Sequence, residues 1–104
     1  MSFKSLQNAV PASITESPQK WLVSGDLLIN NASGLLDKSE TLDMSAHLEI
    51  DFKAVTDADT SALGLLLAWQ RRANVQKSTL KIVNMPANLL SLVDLYGIKA
   101  FISF

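Results

Sequence analysis

Cysteine is absent from this 104-residue chain, which excludes a disulfide framework and a thiolate metal site. Histidine occurs once, at His47. With no second histidine, a transition-metal centre is not expected, and His47 reads as a strand-end residue. No apolar run approaches the roughly 20 residues needed to cross a bilayer. The first residues lack a basic segment followed by an apolar stretch, so no signal peptide is expected. The formal net charge of -1 leaves no global basic field to draw in nucleic acid. No glycine-rich phosphate loop occurs, so nucleotide binding has no motif behind it. No cofactor is expected.

What is present is apolar. Hydrophobic residues make up 48% of the chain and charged residues only 18%, enough for a packed core at one-domain length. The expectation is a single domain over residues 1–104, most simply cytoplasmic, with residues 1–11 loosely held.

The most informative stretch begins at His47. His47-Leu48-Glu49-Ile50-Asp51-Phe52 alternates, as a half-buried strand does. A polar turn follows over Thr56–Ser61. After it, Leu63, Leu66, Leu67 and Ala73 fall at the spacing of a helix face, giving a helix near 60–76. Asp59, Thr60 and Ser61 all suit a helix start, because their oxygens accept from unpaired first-turn N–H groups. In this reading Asp59 is a cap that asparagine would replace without loss.

The flanking segments alternate in type. Residues 12–17 and 20–25 read as two strands of a hairpin broken at Pro18. Trp21 there reads as a packing residue. Leu28, Ala32, Leu35 and Leu36 predict a helix near 29–41, despite Gly34. Residues 79–83 read as a strand. Pro86 opens a last helix near 87–96 with Leu89, Leu92, Val93 and Tyr96 as its apolar face, and Gly97 suits the position just past its end. The apolar tail Ile98–Phe104 must cover something or be covered. A hairpin followed by strand–helix alternation implies right-handed crossovers and a mainly parallel sheet, with one face well covered and the other only partly.

Candidate site residues cluster in and after the turn. Asp57 and Asp59 are either a carboxylate pair for acid–base or Mg²⁺ chemistry, or a solvated loop with a cap. Thr60 and Ser61 either cap the helix or present hydroxyls to a partner. A phosphate there would gain from the helix N-terminus and lose from the two aspartates. Leu65, Trp69 and Arg72 share a strip displaced from Leu63 and Leu67. Trp69 is either an interface anchor beside arginine or core against the last helix or the tail. Arg71 and Arg72 either meet an acidic partner or are solvated surface.

These residues carry a resemblance. Asp59-Thr60-Ser61-Ala62-Leu63-Gly64-Leu65-Leu66-Leu67 resembles the aspartate–Ser/Thr–Ser/Gly–Gly–leucine stretch of STAS domains, the anti-sigma factor antagonist family. Val23-Ser24-Gly25-Asp26-Leu27, Leu48-Glu49-Ile50-Asp51-Phe52, Leu80–Pro86 and Leu92–Ile98 resemble other family segments in the expected order. The resemblance spans about residues 12 to 99. It implies an α/β STAS-like fold with a four- to five-stranded mixed sheet and about three helices.

Within the family the look is toward the small STAS subunits of bacterial Mla phospholipid ABC transporters. The resemblance there implies a non-catalytic partner of the cytoplasmic ATPase, supporting phospholipid trafficking and outer-membrane lipid asymmetry. Such a protein meets the membrane only through its complex. The alternative is an anti-sigma factor antagonist phosphorylated by a partner kinase, with Ser61 at the family's acceptor position and Thr60 before it. A small hydrolase built on Asp57 and Asp59 is the enzymatic alternative. Two departures weigh against a phospho-switch. Ala62 stands where many members have glycine, and Leu28 stands where signalling members often have aspartate.

Overall fold

A computed structural model describes residues 11–104. The expectation of a loosely held start falls, but for Pro11, outside the described residues. A four-stranded sheet runs in the order β1 (Ser13–Ser17), β2 (Lys20–Leu27), β3 (His47–Ala58), β4 (Thr79–Val83). The first pair is antiparallel and the next two are parallel. Three helices join them: α1 (Ile29–Glu40), α2 (Ser61–Val75) and α3 (Ala87–Leu95). A short 3-10 turn at Lys99–Phe101 follows. This is the STAS-like mixed sheet that the resemblance implied.

The hairpin follows from its two turn residues. Pro18 fixes its own φ, and Gln19 takes φ 61°, the left-handed region a tight turn needs. Past it, β2 alternates cleanly. Trp21, Val23 and Leu27 are fully buried, and Ile14, Ile50, Phe52, Leu80 and Ile82 join them on the same face. The other face carries Lys20, Glu49, Asp51 and Lys81 in register. Among the described residues all three helices pack on the apolar face, which gives two layers and leaves the other sheet face uncovered.

Strand β3 outruns its expected end at Phe52 and continues to Ala58. Two register shifts against β2, between Leu22 and Ser24 and between Gly25 and Asp26, absorb extra β3 residues as bulges. The alternation test fails beyond Phe52 because each bulge resets the period. Thr56 and Asp57 therefore lie on a strand, and only Asp59 and Thr60 form the turn. Gly25 sits at the second shift with φ 85°, and a Cβ there would come within 2.1 Å of the Pro11 carbonyl oxygen. Only glycine fits both constraints.

Helix boundaries fall close to expectation. α3 ends as its glycine predicts: Gly97 has φ 67°, its N–H donates to the Asp94 carbonyl at 3.1 Å, and Ile98 N–H donates to Val93 at 3.2 Å. This is the Schellman arrangement, which satisfies carbonyls the helix leaves open. Tyr96 corrects the expected apolar face of α3: it is 57% exposed, because the helix has already ended at Leu95 and the chain turns outward. The tail does cover something. Ile102 is buried, and the Ser103 carbonyl accepts the Ile82 N–H at 2.9 Å on the free edge of β4.

Leu66 is fully buried under α2, beside Leu63 and Leu65. Leu66→Ala should cost about 2–5 kcal/mol, through lost transfer energy and the cavity left behind. Urea titration checks this. A loss below about 1 kcal/mol would mean that the helix repacks around the gap.

Candidate functional site

The start of α2 is organised by one carboxylate. Asp59 Oδ1 accepts the Ser61 N–H at 2.9 Å and also the Ser61 hydroxyl. Asp59 Oδ2 accepts the Ile29 N–H at 3.0 Å. Ser61 and Ile29 are the first residues of α2 and α1, so a single aspartate caps both helices. Leu28 precedes α1 and supplies no side-chain cap. Asp59 fills that gap from the other loop.

This assigns the hydroxyls differently from the expectation. Thr60 makes no capping hydrogen bond, and its side chain is exposed. The Ser61 hydroxyl is half-buried and turned to Asp59. The cap is thus Asp59, and asparagine cannot replace it, because both carboxylate oxygens accept backbone N–H groups. Asp57 does not pair with Asp59. Its Oδ1 accepts the Ala58 N–H at 2.8 Å, with Asn88 Nδ2 at 3.4 Å. The same Asn88 amide donates to the Ala58 carbonyl at 3.0 Å, tying α3 to the end of β3. Thr56 donates to Asp26 across the second bulge. The aspartates are used up in holding loops, which leaves neither as an acid–base pair. Among the described residues no group of three His, Cys, Asp or Glu side chains could hold a metal ion.

Leu65 and Trp69 lie in the core, which closes the choice left open for Trp69, and Arg72 is half-buried rather than solvated surface. Leu65 is 2% exposed and Trp69 1%. Trp69 meets Trp21 edge-on at 5.9 Å and Phe52 at 6.3 Å. Its Nε1–H donates to Ser39 Oγ at 2.9 Å, and Ser39 passes a bond to the Leu36 carbonyl at 2.6 Å. Arg72 donates to the Ser39 carbonyl at 2.9 Å and the Leu42 carbonyl at 2.6 Å, and lies over the Trp21 ring at 5.9 Å. It closes the C-terminal end of α1, where a cation is favoured. The wheel drawn from α2 alone missed this because α1 covers that strip.

Sequence reasoning also missed Asp51, Asn84 and Asn88. Asp51 is 2% exposed on the open sheet face. It accepts the Lys53 N–H at 2.9 Å and Asn84 Nδ2 at 3.0 Å, with Lys20 Nζ at 3.3 Å. An available signal was Asn84, a residue type that tolerates left-handed backbone, here at φ 58° just past β4. Asn88 likewise follows Pro86 in a first helical turn, where short polar side chains reach outside the helix.

Loss of solvent pushes the buried Asp51 and the half-buried Asp59 carboxyls up, but their donors outweigh it. The Ser61 hydroxyl, the Ser61 N–H and the Ile29 N–H hold Asp59 below the usual carboxylate range. Asn84, the Lys53 N–H and Lys20 do the same for Asp51.

The site is therefore an exposed edge at the C-terminal ends of β2 and β3, where Thr60 stands outward on a loop braced by Asp59, Thr56 and Asn88. The polar groups of this edge hold the two helix starts and the loop between them. A family model described as Mlab, STAS domain matches residues 12–103, so the chain belongs to the STAS domain family. No match was found among curated proteins.

Two expectations follow. Trp69→Ala should cost about 3–5 kcal/mol of stability, as a buried aromatic does, read by thermal unfolding of the monomer. An unfolding temperature equal to wild type would restore Trp69 to the surface. The second concerns acid. A carboxyl whose folded pKa is depressed contributes stability that is present above its unfolded value near pH 4 and lost as pH falls through the folded value. Urea midpoints should fall from about pH 5 downward, and Asp51→Asn with Asp59→Asn should give lower stability at neutral pH and a shallower fall. A double variant whose profile runs parallel to wild type would refute the assignment.

Proposed function

We propose that this STAS domain is a non-catalytic subunit that binds the cytoplasmic ATPase of an ABC transporter for phospholipid, through the edge that presents Thr60. STAS domains are generally interaction domains, as the matching family model makes this chain, and the transporter setting follows the resemblance of its segments to the small STAS subunits of phospholipid ABC transporters. The observation that carries the reading is the division of labour at the start of α2. Asp59 does the capping, so among the described residues the exposed Thr60 hydroxyl is not used to cap the helix. A polar side chain held outward on a braced loop is what a recognition surface requires.

The placement is cytoplasmic, at the inner membrane only through the complex. No described helix is long and apolar enough to cross a membrane. The phospho-switch reading has less support. The Ser61 hydroxyl is engaged by Asp59, and a phosphate on Ser61 would face that carboxylate.

Substitution at Thr60 separates fold from binding. Thr60→Ala should leave stability within about 0.5 kcal/mol, because no cap is lost. Thr60→Glu should keep the monomer folded, since a carboxylate is tolerated near a helix N-terminus. It should weaken capture of the ATPase about tenfold or more, because it places an unmatched charge in the interface. The checks are thermal unfolding of each variant and its co-purification with the ATPase. Full retention of the ATPase by Thr60→Glu would place the interface elsewhere.

A further inference from the structure

The two edges of the sheet are not alike. On β4 the tail closes the edge, where the Ser103 carbonyl accepts the Ile82 N–H at 2.9 Å. On β1 no described segment does so. The hairpin fixes which groups are left over there. Pro18 and Gln19 form a two-residue turn, so Ser17 and Lys20 on either side of it are a hydrogen-bonded pair. Alternation makes Thr15 with Leu22 and Ser13 with Ser24 bonded pairs too. The backbone N–H and C=O groups of Ile14 and Glu16 therefore point away from β2, along the free edge. Such a row of groups is a template for one more strand.

The side chains beside that edge decide which strand fits. A groove of about 330 Å³ runs between β1 and α1, lined by Ile14, Gly34, Leu35 and Lys38 among others. A Cβ on Gly34 would meet no heavy atom within 4 Å, so that stretch of α1 is not packed against the strand and leaves room for a side chain entering from the edge. Glu16 follows Ile14 by two residues, exposed on the same side of the strand. The groove that Glu16 itself lines holds a second carboxylate, Asp43, and no cation. Among the described residues neither Glu16 nor Lys38 forms a salt bridge. One short edge thus carries an anion without a cation and a cation without an anion.

We propose that β1 is a homodimer edge, to which β1 of a second copy adds antiparallel about a two-fold axis at Thr15. This pairing places Ile14 opposite Glu16 of the second copy, and Glu16 opposite its Ile14. Those are the residues whose backbone groups face the edge, so each pair exchanges both hydrogen bonds. An axis at Glu16 would instead set two carboxylates opposite each other. An axis at Ile14 would set Glu16 opposite Ala12, which precedes the strand. With the axis at Thr15, the two threonines meet on the other sheet face, a favoured cross-strand pair. Glu16 of the second copy then lies about 5 Å from Ile14, at the mouth of the groove that Lys38 lines. The symmetric contact brings Lys38 of the second copy to Glu16. A chain that offers both halves of an ion pair across one axis is complementary to itself, which an arbitrary strand is not. The two four-stranded sheets run on as one. With five residues in β1 the interface is small, and the dimer belongs with transient contacts.

Sedimentation equilibrium of the full chain over about 1 µM to 1 mM spans the affinities of so small an interface. Wild type should show a monomer–dimer equilibrium that weakens as salt rises. Glu16→Lys and Lys38→Glu should each weaken it about tenfold or more, because each puts like charges at both symmetric contacts. Both positions are exposed, so both variants should unfold within a few degrees of wild type. An equimolar mixture of the two should associate about as tightly as wild type, because in the mixed dimer each contact again joins a lysine to a glutamate. Lys81→Glu, on β4, should stay within about twofold of wild type. Rescue in the mixture is a result that a dimer through another surface does not give. A wild-type chain that stays monomeric at about 1 mM would overturn the proposal and leave the edge to a strand of another protein. A dimer that both charge variants leave within twofold, or a mixture as weak as its components, would overturn it as well.

Discussion

The Trp69 indole is the contact on which the helical layer depends. It lies under α1, against Trp21 of β2 and Phe52 of β3, and its N–H is taken up by Ser39. A buried indole without an acceptor would leave an unsatisfied donor and cost about 1–3 kcal/mol. Ser39 meets that need while bonding back to the Leu36 carbonyl. α1 is thereby fixed at its last turn, and Arg72 completes the join by satisfying two carbonyls there. Apolar burial supplies the driving force, while these directed bonds set the angle at which α1 lies on α2.

The other end of the two helices is joined with equal economy. Asp59 accepts the first N–H of both. A charge-assisted bond to an unpaired helix N–H is stronger than a neutral one, and the helix dipoles favour the anion. α1 and α2 are thus pinned together at both ends, by Asp59 at their starts and by the Ser39, Trp69 and Arg72 group at their far ends. The Thr60 loop is braced for the same reason. A loop whose aspartate is committed to two helices holds its outermost residue in a fixed place, so it needs less ordering when a partner arrives.

Much of this architecture was legible from local pattern. Hydrophobic period separated strands from helices. Pro18, Pro86 and Gly97 marked a turn, a helix start and a helix end. The order of family-like segments indicated the mixed sheet. Tyr96 aside, which lies just past a helix end, what misled was long-range contact. A period cannot be followed through two bulges, so β3 seemed to end at Phe52. A wheel cannot show what lies over a helix, so the sequence leaves Trp69 open between interface and core. The capping choice among Asp59, Thr60 and Ser61 stayed open in the sequence because all three are chemically able to cap. It closed only where Ile29, 30 residues away, supplied the second N–H.

By itself the sequence determined the element types, their order and the sheet's parallel run, because these follow from local periodicity, backbone preference and the handedness of crossovers. It also determined that the polar loop after the central strand would lie at the helix start. The tertiary structure decided which side of α2 is core and which is surface, which aspartate holds the loop, and that Arg72 is spent on the end of α1. Those are questions about neighbours distant in the chain. The same residue types satisfy the local rules in either arrangement, and only the packing of α1 across α2 distinguishes them.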